Sequence, residues 1–184
     1  MSTPLIVLIV VALILVLMYN SLVNKKNQVE NIFATIDTQL KKRYDLIPNL
    51  VASVSKYMEH EKSLLEEVTK LRADANKPNL SDEKKIKLDA QISSALGSLM
   101  IAVENYPDLK ANENVMHLQR TLNEVEEQIS AARRAYNQAV TDYNNAIEMI
   151  PTNFMASAMN YTRKQVFEIV EAERKNVNVK ELFN

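Results

Sequence analysis

The sequence is poor in the residues that build compact chemical sites. It contains no cysteine, which excludes disulfides, thiolate metal sites, a cysteine nucleophile and a lipid attached to cysteine. It contains one glycine, so it has no glycine-rich loop that could cradle a nucleotide phosphate. A nucleic-acid-binding face should show clustered Lys and Arg, and the formal net charge of −1 gives no reason to expect one.

The two histidines do not form a recognisable metal motif. A di-metal site in a helical bundle needs Glu-x-x-His on two helices. Tyr57 stands three residues before His60, and Asn114 stands three residues before His117, so the pattern fails at both places. No Ser-His-Asp set or zinc motif is present either. We therefore predict no enzyme, no catalytic or metal residue, no cofactor and no small-molecule substrate.

What is abundant is helix-forming sequence. The five prolines are widely spaced, and Ala, Leu, Glu, Lys, Gln and Asn fill the long segments between them. No stretch shows the period-two alternation that is typical of strands. The composition predicts an all-α fold.

Residues 1–24 carry no charged side chain, and Leu5 to Met18 is an uninterrupted apolar run. With its uncharged flanks, the segment is long enough to span a bilayer, which needs about 20 residues. A cleaved signal peptide would need a basic start and a small-x-small cleavage site, and both are missing. We predict a retained transmembrane anchor over residues 1–24, with Tyr19 at the interface.

Flanking charge predicts the orientation. Lys25 and Lys26 directly follow the anchor, whereas only the α-amino group precedes it. The positive-inside tendency places the larger C-terminal part in the cytoplasm and the short N-terminus outside. We expect a single-pass protein of the inner (cytoplasmic) membrane of a bacterial cell, with a bundle at 25–170 and a tail at 171–184.

A heptad seam begins just after the anchor and predicts one long helix from Leu22 to about Ala75. Pro48 lies inside it. Proline removes a backbone hydrogen bond and crowds the carbonyl of Tyr44, so a helix break is one interpretation. The seam keeps its phase across Pro48, which favours a kink instead.

Two further helices follow. Ser81 is a plausible N-cap for a helix ending near Tyr106. Residues 106–112 read as a connection, and Asn112 can cap a third helix with coiled-coil-like periodicity from Val115 to Ile150. A shorter amphipathic segment follows Pro151 and extends to Val170. The second helix is too short to cover the first, and the third reaches further only if the connection at residues 107–111 runs extended. The stripe of Val29, Phe33, Ile36 and Leu40 is therefore expected to lack enough partners within one chain and to favour self-association.

The string at residues 43–51, Arg-Tyr-Asp-Leu-Ile-Pro-Asn-Leu-Val, resembles the LemA family of bacterial membrane-anchored proteins. Tyr106-Pro107, Tyr136-Asn137 and Tyr143-Asn144 agree in the same order, and the resemblance covers roughly residues 18–167. It implies a transmembrane helix followed by a cytoplasmic bundle of long antiparallel helices. It implies no established activity. Members are linked to signalling, envelope stress and magnetosome membranes, which gives context without a mechanism.

The polar and aromatic residues of these motifs are the candidate interaction or structural residues. They are Asp37, Gln39, Arg43, Tyr44, Asp45, Pro48, Asn49, Tyr106, Pro107, Arg133, Tyr136, Asn137, Tyr143 and Asn144.

Two interpretations of these candidates stay open. Lys41-Lys42-Arg43 could bind a partner or lipid, or be a solvated helix face with i,i+4 pairs such as Lys41–Asp45. Arg133 with the Tyr-Asn pairs could be a docking site, or a buried network in which Arg133 pairs with a carboxylate such as Asp45 and fixes helix register.

These features predict a membrane-anchored, non-catalytic scaffold or adaptor that binds proteins, including copies of itself. The alternative is a coat protein that assembles in many copies and organises or remodels the membrane.

Overall fold

The computed structural model describes residues 3–167. Within that range the chain forms six α-helices and no strand. They are α1 (Thr3–Val54), α2 (Lys62–Ala75), α3 (Asp82–Val103), α4 (Pro107–Lys110), α5 (Glu113–Glu148) and α6 (Thr152–Ala158), with a 3-10 turn at Glu59–Glu61 before α2. The all-α prediction is confirmed. Val170 and the predicted tail at 171–184 lie outside the described residues.

The described chain divides into two packed units. Unit 1 contains residues 3–39 and 126–166, and unit 2 contains residues 40–125 together with Phe167. The division falls inside α1 after Gln39 and inside α5 before Glu126, so both long helices contribute to both units.

In unit 1 the first part of α1 lies antiparallel to the second part of α5. The rings of Phe33 and Tyr136 are 5.6 Å apart. Further back on α1, Lys26 Nζ lies 5.7 Å from the centre of the Tyr161 ring, and that ring lies 6.0 Å from Tyr143. Moving back along α1 therefore corresponds to moving forward along α5, which is the antiparallel arrangement.

This packing covers the membrane-proximal stripe. Val29 and Ile36 are 1% and 0% exposed, and Phe33 is half-buried against Tyr136. Leu40, which belongs to unit 2, is 2% exposed. The expectation that these residues lack partners within one chain is wrong. Helix α5 is long enough to reach this part of α1, because its 36 residues span about 54 Å.

In unit 2 the first helix is shorter than predicted, because α1 ends at Val54. The chain then turns through residues 55–61, where Met58 is fully buried, and α2 folds back along α1. Arg72, near the end of α2, reaches back to the carbonyl of Tyr44, which is ten residues before the end of α1. The predicted single helix to Ala75 is therefore wrong, whereas α1 does run without a break through Pro48.

The predicted helix starts are confirmed. Ser81 caps α3 by accepting a hydrogen bond from the backbone N–H of Lys84 at 3.4 Å. Asn112 Oδ1 caps α5 by accepting from the backbone N–H groups of Asn114 and Val115, at 3.0 and 3.3 Å. The connection between the two helices contains the short α4, because Pro107 occupies a first helical position, where its missing N–H costs nothing.

The end of the described chain differs from the prediction. After Pro151 only residues 152–158 are helical, and 161–167 form no regular element. Asn160 ends α6 with a positive φ of 53°. The backbone N–H groups of Asn160 and Tyr161 bond back to the carbonyls of Ser157 and Ala156, the arrangement that terminates many helices.

Among residues 3–167, two helices are long and apolar enough to cross a membrane, α1 and α3. The apolar part of α1 is almost entirely exposed, with 6% of it buried, whereas a third of α3 is buried. Helix α3 packs against α2 and holds the buried Asp89, as expected of a core helix. The N-terminal part of α1, with Leu5 to Leu17 exposed, indicates membrane anchoring.

Candidate functional site

The candidate residues are divided between the two units. Unit 1 holds Asp37, Gln39, Arg133, Tyr136, Asn137, Tyr143 and Asn144, and unit 2 holds Arg43, Tyr44, Asp45, Pro48, Asn49, Tyr106 and Pro107.

The strongest polar cluster of unit 2 surrounds Arg43. Its side chain is 1% exposed and forms an ion pair with Asp89 of α3, which is equally buried. Its Nη1 donates to Ser93 Oγ at 2.8 Å, and its Nη2 also reaches the carbonyl of Asp89 at 3.3 Å. The pair joins α1 to α3 at a fixed register, because Asp89 and Ser93 are one helical turn apart.

This placement corrects the interpretation of the basic triplet as one solvated face. Lys41 is exposed and pairs with Asp45 of its own helix at 3.4 Å, as predicted. Arg43, two residues later, faces the opposite way and lies in the core. The helical period separates their side chains, since residues two apart do not share a face.

Pro48 has a specific partner across the α1–α2 contact. Proline has no N–H to donate to the carbonyl four residues earlier, which belongs to Tyr44. Arg72 Nε of α2 donates to that carbonyl at 2.8 Å. The proline therefore leaves the Tyr44 carbonyl free to accept a hydrogen bond from α2. This contact accounts for a proline at position 48, so the exposed ring needs no binding partner to explain it.

The remaining candidates of unit 2 serve local structure. Asn49 is exposed, and its carbonyl accepts from Ser53 Oγ at 2.7 Å. Tyr106 precedes α4, and its carbonyl accepts from the backbone N–H groups of Leu109 and Lys110. Pro107 begins that helix.

In unit 1, Tyr143 and Asn144 hold the segment that follows α6. The Tyr143 hydroxyl donates to the carbonyl of Thr162 at 3.1 Å. The Asn144 amide pairs with the backbone of Lys164 in both directions, donating to its carbonyl at 2.9 Å and accepting from its N–H at 3.0 Å. Through these bonds α5 satisfies three backbone groups of the non-helical segment 161–167, at Thr162 and Lys164.

Burial raises the pKa of the Tyr143 hydroxyl above its ordinary value of 10.0. The nearby Tyr161 and Glu30 add to the effect, since negative charge close to a phenol opposes its ionisation. The direction fits a hydroxyl that donates a hydrogen bond, and it argues against a tyrosinate at neutral pH.

The other candidates of unit 1 lie along the same two helices. Arg133 forms an ion pair with Glu126, seven residues earlier on α5, at 3.9 Å; its pairing with a carboxylate such as Asp45 stays a prediction. Asn137 accepts from Thr141 Oγ1 through its carbonyl. Asp37 is exposed on α1, and Gln39 has a buried Oε1 that accepts no hydrogen bond from the described residues.

Sequence reasoning missed two residues of these clusters, Asp89 and Arg72. Asp89 carried a readable signal, because it lies seven residues before Leu96 and so occupies the apolar seam of α3. An acid at a seam position implies a buried basic partner. Arg72 carried no such signal, because its role depends on a fold-back that the periodicity did not reveal.

The located clusters join helices of the same unit. Within residues 3–167, no group of three or more His, Asp or Glu side chains converges to hold a metal ion. The arrangement can fix the register between helices and hold the segment after α6. The Arg43–Asp89 pair makes the first kind of contact, and Tyr143 and Asn144 make the second.

Comparison with known proteins agrees with the motifs. Residues 32–180 match the model of the LemA family. The chain is similar to Protein LemA of Metamycoplasma hominis, with 28% identity over 165 residues that cover 90% of this chain and 75% of that protein.

A shorter part is similar to two magnetosome proteins. Magnetosome protein MamQ 2 of Paramagnetospirillum magneticum is 34% identical over 80 residues, which cover 44% of this chain. Magnetosome protein MamQ of Magnetospirillum gryphiswaldense is 30% identical over 79 residues, or 43% of this chain. Both matches cover 29% of the magnetosome protein's own length.

Proposed function

The chain belongs to the LemA family, and we propose that it acts as a membrane-anchored, non-catalytic helical scaffold or adaptor that binds other proteins. The observation that carries the proposal is the continuity of α1. This one helix contains both the exposed apolar residues 5–17 and, from Leu22 onward, residues buried in both packed units. Because α1 is continuous from the exposed apolar residues to the buried ones, it would hold the packed part of the chain at a fixed place on the membrane.

The internal polar clusters support a binding role over a catalytic one. Arg43, Asp89, Tyr143 and Asn144 are buried and engaged with their own unit. A catalytic group must reach a substrate, and these side chains instead hold helices and the segment after α6 in place. The remaining surface includes exposed helix faces, which are suited to protein binding.

For its location, we propose the inner (cytoplasmic) membrane, crossed once, with the short N-terminus outside. Lys25 and Lys26 immediately after the apolar run support this orientation. The absence of native cysteine makes the test direct. Ser63→Cys, on an exposed position of α2, should resist a membrane-impermeant thiol reagent in intact cells, whereas Ser2→Cys should react. The reverse pattern would contradict the proposed orientation.

We also propose that copies of the chain associate, through a smaller surface than the sequence alone predicts. The stripe just beyond the anchor is covered by α5, so it offers no free face for a second chain. The apolar residues 5–17 remain exposed and are the surface on which copies could meet within the bilayer.

Crosslinking in native membranes followed by mass spectrometry tests the scaffold directly. We expect links from surface lysines such as Lys42 or Lys87 to a small set of recurring proteins. A crosslinked proteome that is the same for this chain and for an unrelated single-pass protein of equal abundance would contradict an adaptor role.

A coat that organises the membrane is the second candidate. The similarity to proteins named as magnetosome proteins favours it, although the match covers under half of this chain. Negative-stain microscopy of protein in lipid separates the two. Rings or cages of many copies would favour the coat, and small discrete oligomers would favour the adaptor.

A further inference from the structure

Unit 1 carries an exposed apolar cluster at the turn between α5 and α6. Its members are Met149, Ile150 and Phe154, which are 63%, 79% and 71% exposed. Together with Ile101 of α3, Ile150 and Phe154 are the most exposed large apolar side chains of the described chain. Three such residues within six positions, at a turn, form a compact apolar tip.

The register between α1 and α5 gives the height of this tip. Phe33 lies opposite Tyr136, and seven residues further, Lys26 lies at the level of Tyr143, with Tyr161 against both. Another half-heptad brings Ile147 level with Leu22, and both are buried. The same antiparallel register places Ile150 level with Tyr19, about 21 Å along the axis from the Phe33–Tyr136 contact.

Tyr19 marks the edge of the exposed apolar part of α1. The residues before it, Leu5 to Leu17, are the ones suited to the hydrocarbon region, and Lys25 and Lys26 follow it. Tyrosine is enriched at the level of the lipid headgroups. The tip therefore lies at the height of the bilayer interface on the side where the packed part of the chain begins.

Charge around the tip suits an anionic lipid surface. The carboxylate nearest in sequence, Glu148, is held by Arg163 at 2.6 Å. Lys26 and Lys164 belong to the same end of unit 1. Lys26 lies over the Tyr161 ring and pairs with Glu30 of its own helix at 3.6 Å, and Lys164 lies beside Asn144. An apolar tip with basic neighbours is the composition of interfacial membrane contacts.

We propose that the tip formed by Met149, Ile150 and Phe154 inserts into the interface of the bilayer that holds the anchor. Unit 1 then touches the membrane at two places, through α1 and through the α5–α6 turn. Two contacts restrict rotation and tilt about α1 and fix which face of unit 1 points to the cytoplasm. This inference rests on the proposed membrane anchor, and its test separates the two.

The chain contains no tryptophan, so a single introduced one reports on its own surroundings. The full-length variants Phe154→Trp, Ala131→Trp and Leu13→Trp are reconstituted in vesicles of phosphatidylcholine and phosphatidylglycerol. The phosphatidylcholine is brominated at a shallow acyl position, where it quenches nearby indole. Ala131 is exposed on α5 and lies 19 residues before Ile150, about 28 Å away along the axis, and so serves as the control within the same unit.

We expect the Phe154→Trp protein to emit at a shorter wavelength than the Ala131→Trp protein and to lose most of its emission in brominated vesicles. The emission of the Ala131→Trp protein should be the same in brominated and unbrominated vesicles. Quenching of Leu13→Trp alone would overturn the inference and leave the anchor intact. Blue-shifted emission from the Phe154→Trp protein that bromine does not quench would also overturn it, because protein rather than lipid then covers the tip. If bromine also failed to quench the emission of Leu13→Trp, the result would contradict the proposed membrane anchor and the proposed function that depends on it.

Discussion

Arg43 is the largest of the fully buried side chains that the structure describes, and most other buried residues are apolar. A buried ion pair contributes little net stability compared with an apolar pair of similar volume, but removing one partner is costly. We therefore expect Asp89→Ala to lower the free energy of unfolding by about 3–5 kcal/mol, since the guanidinium would lose its buried carboxylate. Denaturant unfolding followed by circular dichroism in mild detergent measures the change.

Two further variants decide whether charge or packing causes that loss. The double variant Arg43→Met with Asp89→Leu should recover most of the stability, because it removes both charges together. Lys41→Ala removes the neighbouring exposed pair with Asp45 and should cost under about 1 kcal/mol. Equal losses for Asp89→Ala and Lys41→Ala would mean that the buried pair has no special role.

Tyr143 makes stability depend on pH in the alkaline range. Its pKa in the folded chain is raised by burial, so the folded state holds this proton more tightly than the unfolded state does. The associated stability is complete below the ordinary pKa of 10.0 and is lost as pH rises through the raised value. We expect the unfolding midpoint to fall more steeply above about pH 10 than it does for Tyr143→Phe.

Tyr57→Phe is the matched control for this slope, because Tyr57 is 42% exposed whereas Tyr143 is 2% exposed. The Tyr57 variant should keep the alkaline slope of the wild type. Tyr143→Phe should also lose the bond to the Thr162 carbonyl and so be less stable at neutral pH. If the unfolding midpoint of Tyr143→Phe still fell as steeply above about pH 10 as that of the wild type, another group would be responsible for the alkaline loss of stability.

At the scale of elements, Pro48 and Arg72 should be energetically coupled. Arg72 Nε supplies a donor to the Tyr44 carbonyl that the backbone at position 48 cannot supply. In Pro48→Ala, the new N–H can make the ordinary helical bond to that carbonyl. We expect Arg72→Met to cost about 1 kcal/mol more in the wild type than in the Pro48→Ala background.

The four proteins of this cycle are compared by denaturant unfolding. Lys70→Met, on an exposed position of the same helix, is the control and should cost the same in both backgrounds. Additive effects of Pro48→Ala and Arg72→Met would show that the proline and the arginine act independently, and the proline would then need another explanation.

The elements differ in how well the sequence predicts them. The starts of α3 and α5 are local events, fixed by Ser81 and Asn112 bonding to N–H groups two or three residues away, and both are predictable. The end of α1 at Val54 is not local. Residues 55–61 contain neither glycine nor proline, and Tyr57 and Leu64 keep the heptad phase across the turn. The burial of Met58, a tertiary contact, accompanies the turn there.

The segment at residues 161–167 likewise depends on tertiary contacts for its non-helical conformation. Its amphipathic pattern is typical of a helix, but Tyr143 and Asn144 of α5 take up its backbone groups. For the candidate residues, the sequence identified Arg43 and Asn144 as notable without their roles. Those roles depend on Asp89 and Lys164, which lie 46 and 20 residues away and are brought near only by the fold.

At the scale of the whole molecule, the covered stripe changes where copies of the chain can meet. A helix pair that buries Val29 and Ile36 satisfies the apolar face beyond the membrane, so association there would need to expose it again. Residues 5–17 have no such cover. Within the bilayer, close packing of small and branched side chains can drive helix association without any exposed face outside.

We therefore expect copies of the chain to contact each other through residues 5–17. Because the chain has no native cysteine, single cysteines can be placed along α1 and oxidised in native membranes. We expect disulfide-linked dimers for a subset of positions 5–17, recurring every three to four residues, since one helix face would meet its copy. Cysteines at the exposed Thr35 and Thr38 should give few dimers. Strong dimers at these two positions with none at 5–17 would place self-association outside the bilayer, against the packing seen in unit 1.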